Sequence, residues 1–269
     1  MSATARPETE LMATRKYRHP PVHEVVLDVQ FHENLEEPAA STLPDQLQGE
    51  FGTPQRLEEQ ELELKVGPEG QQLATTKKRF AGWRFETATP KWVVQCSPSQ
   101  LTLHAVRSQK WPSGAYIGWE KISERYEGLL PLVKSTYGTL TPKRVALRYL
   151  NRIAVPEDHD PREWFALWLE APPFLRQPYS FDLRQTWASI EGADDVSATV
   201  RVVKIKIEDE AIARGHIGAL LDIEVFNLWV RNAPPFSDLP PWFSRAHAVE
   251  NHIFEASISD MLRASFDRE

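Results

Sequence analysis

Lys143-Arg144-Val145-Ala146-Leu147-Arg148-Tyr149-Leu150-Asn151-Arg152-Ile153 runs through the middle of the sequence and sets the architecture of the chain. Val145, Leu147, Tyr149, Asn151 and Ile153 alternate with Arg144, Ala146, Arg148, Leu150 and Arg152, the period of two that sends successive side chains to opposite faces of a strand. One face is apolar with Tyr149 and Asn151 set into it; the other carries the arginines.

Working upstream, Trp119, Ile122, Tyr126, Leu129, Leu130 and Val133 recur at spacings of three and four, which predicts a long amphipathic helix. Pro131 inside that pattern predicts a kink or an early stop. Before the helix come the β-prone runs 60–66, 72–80, 83–87, 91–96 and 101–107, separated by GPEG, AG, ATP and SPSQ. Short runs with such turn-rich punctuation predict an antiparallel meander, because parallel pairing needs longer crossovers. Ser41 to Phe51 is a helical candidate, and Val25, Leu27, Val29 and Phe31 alternate with Val26, Asp28, Gln30 and His32 as a first strand.

Downstream, Pro161 to Leu169 predicts a short helix, and 179–190, 198–208 and 219–230 predict strands. A closing helix is expected over Leu239 to Phe266. Strand, short helix, meander and long helix therefore occur twice, about 125 residues apart. The expected class is α+β: two similarly organised halves, 17–140 and 141–269, each a helix-grip-like antiparallel meander packed on a long amphipathic helix, preceded by a disordered arm over 1–16.

Composition bounds the function. The 269 residues are 41% hydrophobic and 26% charged, as in globular chains. A net charge of −7 disfavours nucleic acid and anionic membranes as partners. Cys96 is the single cysteine, so no intrachain disulfide or thiolate-rich zinc site can form, and a reducing, cytoplasmic setting is expected. No apolar run has the length of a signal peptide or a membrane span.

Arg144, Arg148 and Arg152 stand about 13 Å apart along one strand face, a spacing suited to a row of anionic contacts. Pairing with Asp and Glu of neighbouring strands is the plainer expectation. Tyr149 and Asn151, on the opposite face, either anchor the strand or line a polar pocket. His247 and His252, five residues apart on a helix, point about 140° apart and cannot share one metal ion. His19, His23 and His32 lack a carboxylate or thiol at ligand spacing, so no metal and no cofactor is expected. Cys96 ends an apolar strand and reads as inert packing. Trp164, Phe165 and Trp168, with Pro172-Pro173-Phe174 and Pro234-Pro235-Phe236, form either an exposed patch for a partner or packing between the halves.

Tyr17-Arg18-His19-Pro20-Pro21-Val22-His23-Glu24 and Arg144 to Ile153, with the central Trp-containing helix and the C-terminal helix ending in Phe266, resemble a sporadically distributed, uncharacterised family of bacterial proteins. The resemblance spans 17–266 and implies a bacterial cytoplasmic protein without supplying a catalytic residue. Patchy distribution of this kind accompanies mobile or defence-related gene neighbourhoods, an association without a mechanism.

The expectation for function is a non-enzymatic binding protein, with a protein partner or as a component of a bacterial defence or toxin-control module. Two alternatives stay open. One is an enzyme whose site is assembled from distant residues, with Arg148, His104 or His247 taking part; the other is nucleic-acid binding through the arginine face, which would weaken steeply with salt.

Overall fold

The computed structural model describes residues 15–66, 72–88, 90–107, 116–159, 161–166, 182–188, 196–208, 210–229 and 233–267. Its centre is a nine-stranded sheet in which each pairing is antiparallel. The strands are β1 (Val22–Phe31), β2 (Gln55–Val66), β3 (Gln72–Glu86), β4 (Lys91–Ser97), β5 (Gln100–Val106), β6 (Pro142–Pro156), β7 (Asp182–Trp187), β8 (Ser197–Ile205) and β9 (His216–Leu228). Across the sheet they run β2-β3-β4-β5-β1-β6-β9-β8-β7.

That order follows from short connections. From β1 the chain crosses through α1 (Glu37–Ala40) and α2 (Leu43–Phe51) to one edge, then meanders back until β5 lies beside β1. From β6 it crosses through α4 (Pro161–Trp164) to the opposite edge and meanders back until β9 lies beside β6. The two wings meet where β1 pairs β6, with Leu27 opposite Leu147 and Val25 opposite Tyr149. Burying this pair at the centre uses the strongest apolar alternation in the sequence.

The period of two in β6 is realised as expected: Val145, Leu147, Tyr149, Asn151, Ile153 and Val155 are buried, while Arg144, Arg148 and Arg152 are partly exposed on the other face. The buried face is covered by α2, α3 (Trp119–Tyr137) and α6 (Leu239–Ser257). Ile122, Tyr126, Leu129 and Val133 of α3, and Trp242, Phe243, Ala246 and Val249 of α6, enter the same core as the strands. Among the described residues the remaining helices are the single turn α5 (Glu210–Ala213), a 3-10 turn at Phe236–Asp238 and α7 (Asp260–Ser265). No helix among the described residues is long and apolar enough to cross a membrane.

Several expectations are corrected. The runs 72–80 and 83–87 form one strand, because Ala81-Gly82 is a bulge and not a turn: Leu57 pairs with Gly82 but Glu58 with Phe80, leaving Ala81 as the extra residue. Gly82 has φ 137°, and a Cβ there would lie 2.2 Å from the Cys96 carbonyl oxygen, so only glycine fits. α3 continues past Pro131 to Tyr137 instead of stopping. The closing helix is two helices, since Ile258 is extended and bridges Phe165, and Ser259 caps α7 by accepting from the Leu262 N–H. The helix from Pro161 ends at Trp164, where Phe165 takes up that bridge.

Candidate functional site

An open cleft of about 820 Å³ lies where the start of α3, the middle of α6 and the chain leading into β1 meet the helix-facing side of β6. β6 contributes Tyr149 and Asn151 because its alternation turns both toward the helices. α6 contributes His247, Glu250, Asn251 and Phe254, at positions i, i+3, i+4 and i+7, which place them on one helix face. Trp119 and Glu120 open α3, following Gly118 at φ 89°, and Tyr116 precedes them. Tyr17, Arg18 and His19 form part of the opposite wall.

Aromatic contacts organise the floor. The Trp119 ring stacks on His247 with centroids 4.3 Å apart and planes 17° apart. The Tyr149 hydroxyl lies 2.9 Å from His247 Nδ1 and 3.3 Å from the Tyr116 hydroxyl, so three polar groups form a chain along the wall. Asn251 Nδ2 donates to the His247 carbonyl at 2.9 Å, fixing the amide against its own helix.

Burial sets the charge of this floor. It pushes the His247 imidazolium down to about 4, against a smaller opposing influence from Glu120. It pushes the Glu250 carboxyl up to about 8. Near neutral pH both side chains are therefore held uncharged. Glu250 is only 2% exposed, and no described residue forms an ion pair with its carboxyl. Asn151, 1% exposed, donates through Nδ2 to the Leu221 carbonyl at 3.2 Å, which fixes the amide orientation and leaves Oδ1 buried with no partner among the described residues. Among the described residues Asn151 Oδ1 is thus a buried acceptor without a partner, and the Glu250 carboxyl lines the same cleft without an ion pair, an arrangement that folding alone does not favour.

The mouth is tied together by charge. Arg15 pairs with Asp267 at 2.7 Å, and Tyr17 donates to Glu255 at 2.5 Å, which also pairs with Arg263 at 2.8 Å. Lys16, Arg18 and Arg107 also line the cleft.

The arginine row lies on the opposite face of the sheet, and each member meets a carboxylate. Arg144 bridges Asp28 at 3.1 Å and Glu224 at 2.7 Å; Arg148 forks onto Asp222 with both bonds at 2.7 Å; Arg152 approaches Glu208 at 3.8 Å. The plainer expectation for these residues is the one observed.

His104 also sits on that face, between Thr102 Oγ1 at 3.1 Å and Glu24 Oε1 at 2.7 Å. The hydroxyl–imidazole–carboxylate order has the outline of a nucleophilic triad. It lacks the rest of one: Thr102 is 7% exposed, and β5 is paired on both sides, so its ladder N–H groups are committed and unavailable to an oxyanion. Arg148, His104 and His247 consequently do not converge, being divided between two faces.

Trp164 is buried at 6% exposure beside the break between α6 and α7, where its carbonyl accepts from the Ser259 N–H, so it presents no exposed patch. Trp168 and Pro172-Pro173-Phe174 lie outside the described residues. Cys96 is buried and its thiol pushed up by burial. The residues that sequence reasoning missed are Glu250, Asn251, Trp119 as a stacking partner and Tyr116. The His247-x-x-Glu250-Asn251 spacing on an otherwise apolar stripe was the available signal.

No known family profile and no curated protein matches the chain.

Proposed function

We propose that the chain is a non-enzymatic binding protein whose occupant sits in the cleft between β6, α3 and α6. One observation carries this reading: a cleft of about 820 Å³, of the size that holds a small molecule, is walled by aromatic rings and lined by buried polar groups, of which Asn151 Oδ1 has no partner among the described residues. Trp164 offers no surface for a protein partner, which shifts the weight toward a small ligand. The paired arginines lend the nucleic-acid alternative little support.

The equivalent strand paths β1 to β5 and β6 to β9 support a reading of two similarly organised halves, each gripping its own helix, with the cleft beside their seam. The Tyr17–Glu24 and Arg144–Ile153 motifs support placing the protein in a bacterial cytoplasm, in a defence or toxin-control module.

The test is a thermal-shift screen of a chemically mixed small-molecule library on the full chain and on Trp119→Ala. Compounds that raise the wild-type midpoint and lose that effect in the variant support the reading. A library without such compounds, or hits indifferent to Trp119, overturns it. Turnover of a bound compound would move the assignment to an enzyme, with His247 the one sequence-predicted participant inside the cleft.

A further inference from the structure

Resting on that reading of the cleft, we propose that its occupant is a flat, uncharged aromatic molecule with a hydrogen-bond donor at its inner end, of the kind an amide or lactam N–H supplies, directed to Asn151 Oδ1. The floor sets the hydrogen-bonding half. Asn151 Nδ2 is committed to the Leu221 carbonyl at 3.2 Å, so turning the amide over would set oxygen against oxygen. Oδ1 is therefore the atom left without a partner among the described residues, on a side chain that is 1% exposed and lines the cleft. An amide oxygen accepts and cannot donate, so only a group that brings its own hydrogen completes it. A ligand seated there without a donor would shut this acceptor off from water unpaired.

The walls set the shape. The Trp119 and His247 planes are 17° apart with centroids at 4.3 Å, and the His247 and Tyr149 planes are 20° apart with centroids at 5.8 Å. Three nearly parallel rings, held by stacking and by the Tyr149–His247 hydrogen bond, make a layered wall of flat faces and edges. Tyr116 and Phe254 add their rings to the same cleft. Against such a surface a planar ring makes offset or edge-to-face contacts that a branched aliphatic group of equal size does not. A volume of about 820 Å³ holds a bicyclic ring system with room to spare.

The lack of formal charge follows from the groups beside Asn151. Burial keeps the His247 ring and the Glu250 carboxyl uncharged near neutral pH, and it raises the Tyr116 and Tyr149 hydroxyls far from ionisation. A ligand ammonium would gain a counter-ion from Glu250 only by ionising a carboxyl that burial keeps protonated. A ligand carboxylate would gain one from His247 only by protonating an imidazole that burial keeps neutral. Either ion would give up its hydration for a floor made of neutral dipoles, whereas an uncharged N–H gives up little and finds its acceptor.

Isothermal titration calorimetry on the full chain, with 2-naphthamide as the probe, tests this. 2-Acetylnaphthalene has the same outline and the same carbonyl but no N–H, while 2-naphthoate and naphthalene-2-carboxamidine replace the amide by an anion and a cation. The amide should bind at least about tenfold more tightly than each of the three. Asn151→Leu keeps the volume and removes the acceptor, so it should bring the amide down to the level of the ketone and leave the ketone unchanged; Trp119→Ala should weaken amide and ketone alike. The ligand comparison on the wild-type chain needs no substitution and decides the matter even where Asn151→Leu does not fold. A ketone that binds as well as the amide, a charged analogue that binds more tightly, or an Asn151→Leu variant that retains the preference for the amide overturns the assignment. So does the absence of 2-naphthamide binding. Trp119-dependent hits in the thermal-shift screen would then show that the cleft takes a ligand of another class, and a screen without them would remove the binding reading as well.

Discussion

The two faces of the sheet treat polar groups in opposite ways. On the arginine face each of Arg144, Arg148 and Arg152 meets a carboxylate, and Asp28 is shared among Arg144, Gln30 and Gln100. On the helix-covered side Asn151 Oδ1 is deeply buried with no partner among the described residues, and Glu250 is 2% exposed with no ion pair among them. Charge density is thus greatest where the electrostatics are already settled. Unfinished hydrogen bonding lies where the sequence is mostly apolar, which is what a site awaiting a ligand requires.

The largest effect should come from Glu250→Gln. A carboxyl whose folded pKa is raised to about 8 stabilises the protein relative to its ionised form below the unfolded value, and that stability is lost as pH rises through the folded value. The variant should therefore match wild type near pH 4 and exceed it by a few kcal/mol near pH 9. Urea unfolding across that range measures it. A variant no more stable than wild type at pH 9 would mean that Glu250 has a partner, and the contrast between the faces would be lost.

Arg144→Met probes the settled face. Its side chain is 17% exposed and serves both Asp28, which burial already pushes up, and Glu224. Removing the shared cation leaves two carboxylates facing each other, at a cost of about 2–3 kcal/mol at pH 7 that shrinks as the medium is acidified and they protonate. Denaturant midpoints at pH 7 and pH 4 read this directly. A loss independent of pH would indicate packing against Phe226, over which the guanidinium lies at 5.1 Å, as the main role.

His247 should act in the opposite pH direction from Glu250. Its folded value of about 4 lies below the ordinary imidazole value, so its stabilising neutrality is present above about 6.5 and lost as pH falls toward 4. His247→Phe keeps the ring against Trp119 and should flatten the acid limb of the stability profile by about 1–2 kcal/mol. At neutral pH, where His247 is already uncharged, the lost Tyr149 hydrogen bond leaves the variant slightly less stable than wild type. An unchanged acid limb in the pH-dependent unfolding profile would show that His247 is solvated.

Legibility in the sequence divides along physical lines. Strand faces were readable because a period of two survives in Val25 to Phe31 and Val145 to Ile153 whatever the tertiary context. α3 was readable from its stripe, although Pro131 argued for a stop that helix packing overrides. Ala81-Gly82 was misread because glycine marks turns and bulges alike, and only the neighbouring Cys96 carbonyl distinguishes them. The break at Ile258 depends on Phe165, a partner far away in sequence. The cleft was the least legible feature. Glutamate on a helix is ordinarily solvent-facing, and Glu250 lines a cleft only when Tyr17, Tyr116 with Trp119, and Tyr149 come together from three places in the chain.

Arg152 gives the finest test of the contrast. It extends the same arginine row, yet its nearest carboxylate oxygen is 3.8 Å away on Glu208, whose side chain is 68% exposed. A pair so long and so wet contributes little once side-chain entropy and salt screening are counted. Arg152→Ala should accordingly change the unfolding free energy by less than about 0.5 kcal/mol, and raising the salt concentration should shrink even that difference. If it costs as much as Arg144→Met, the row acts as one coupled network, not as separate pairs. Additivity in the Arg144→Met/Arg152→Ala double variant decides between them, because residues without shared partners add and members of one network do not.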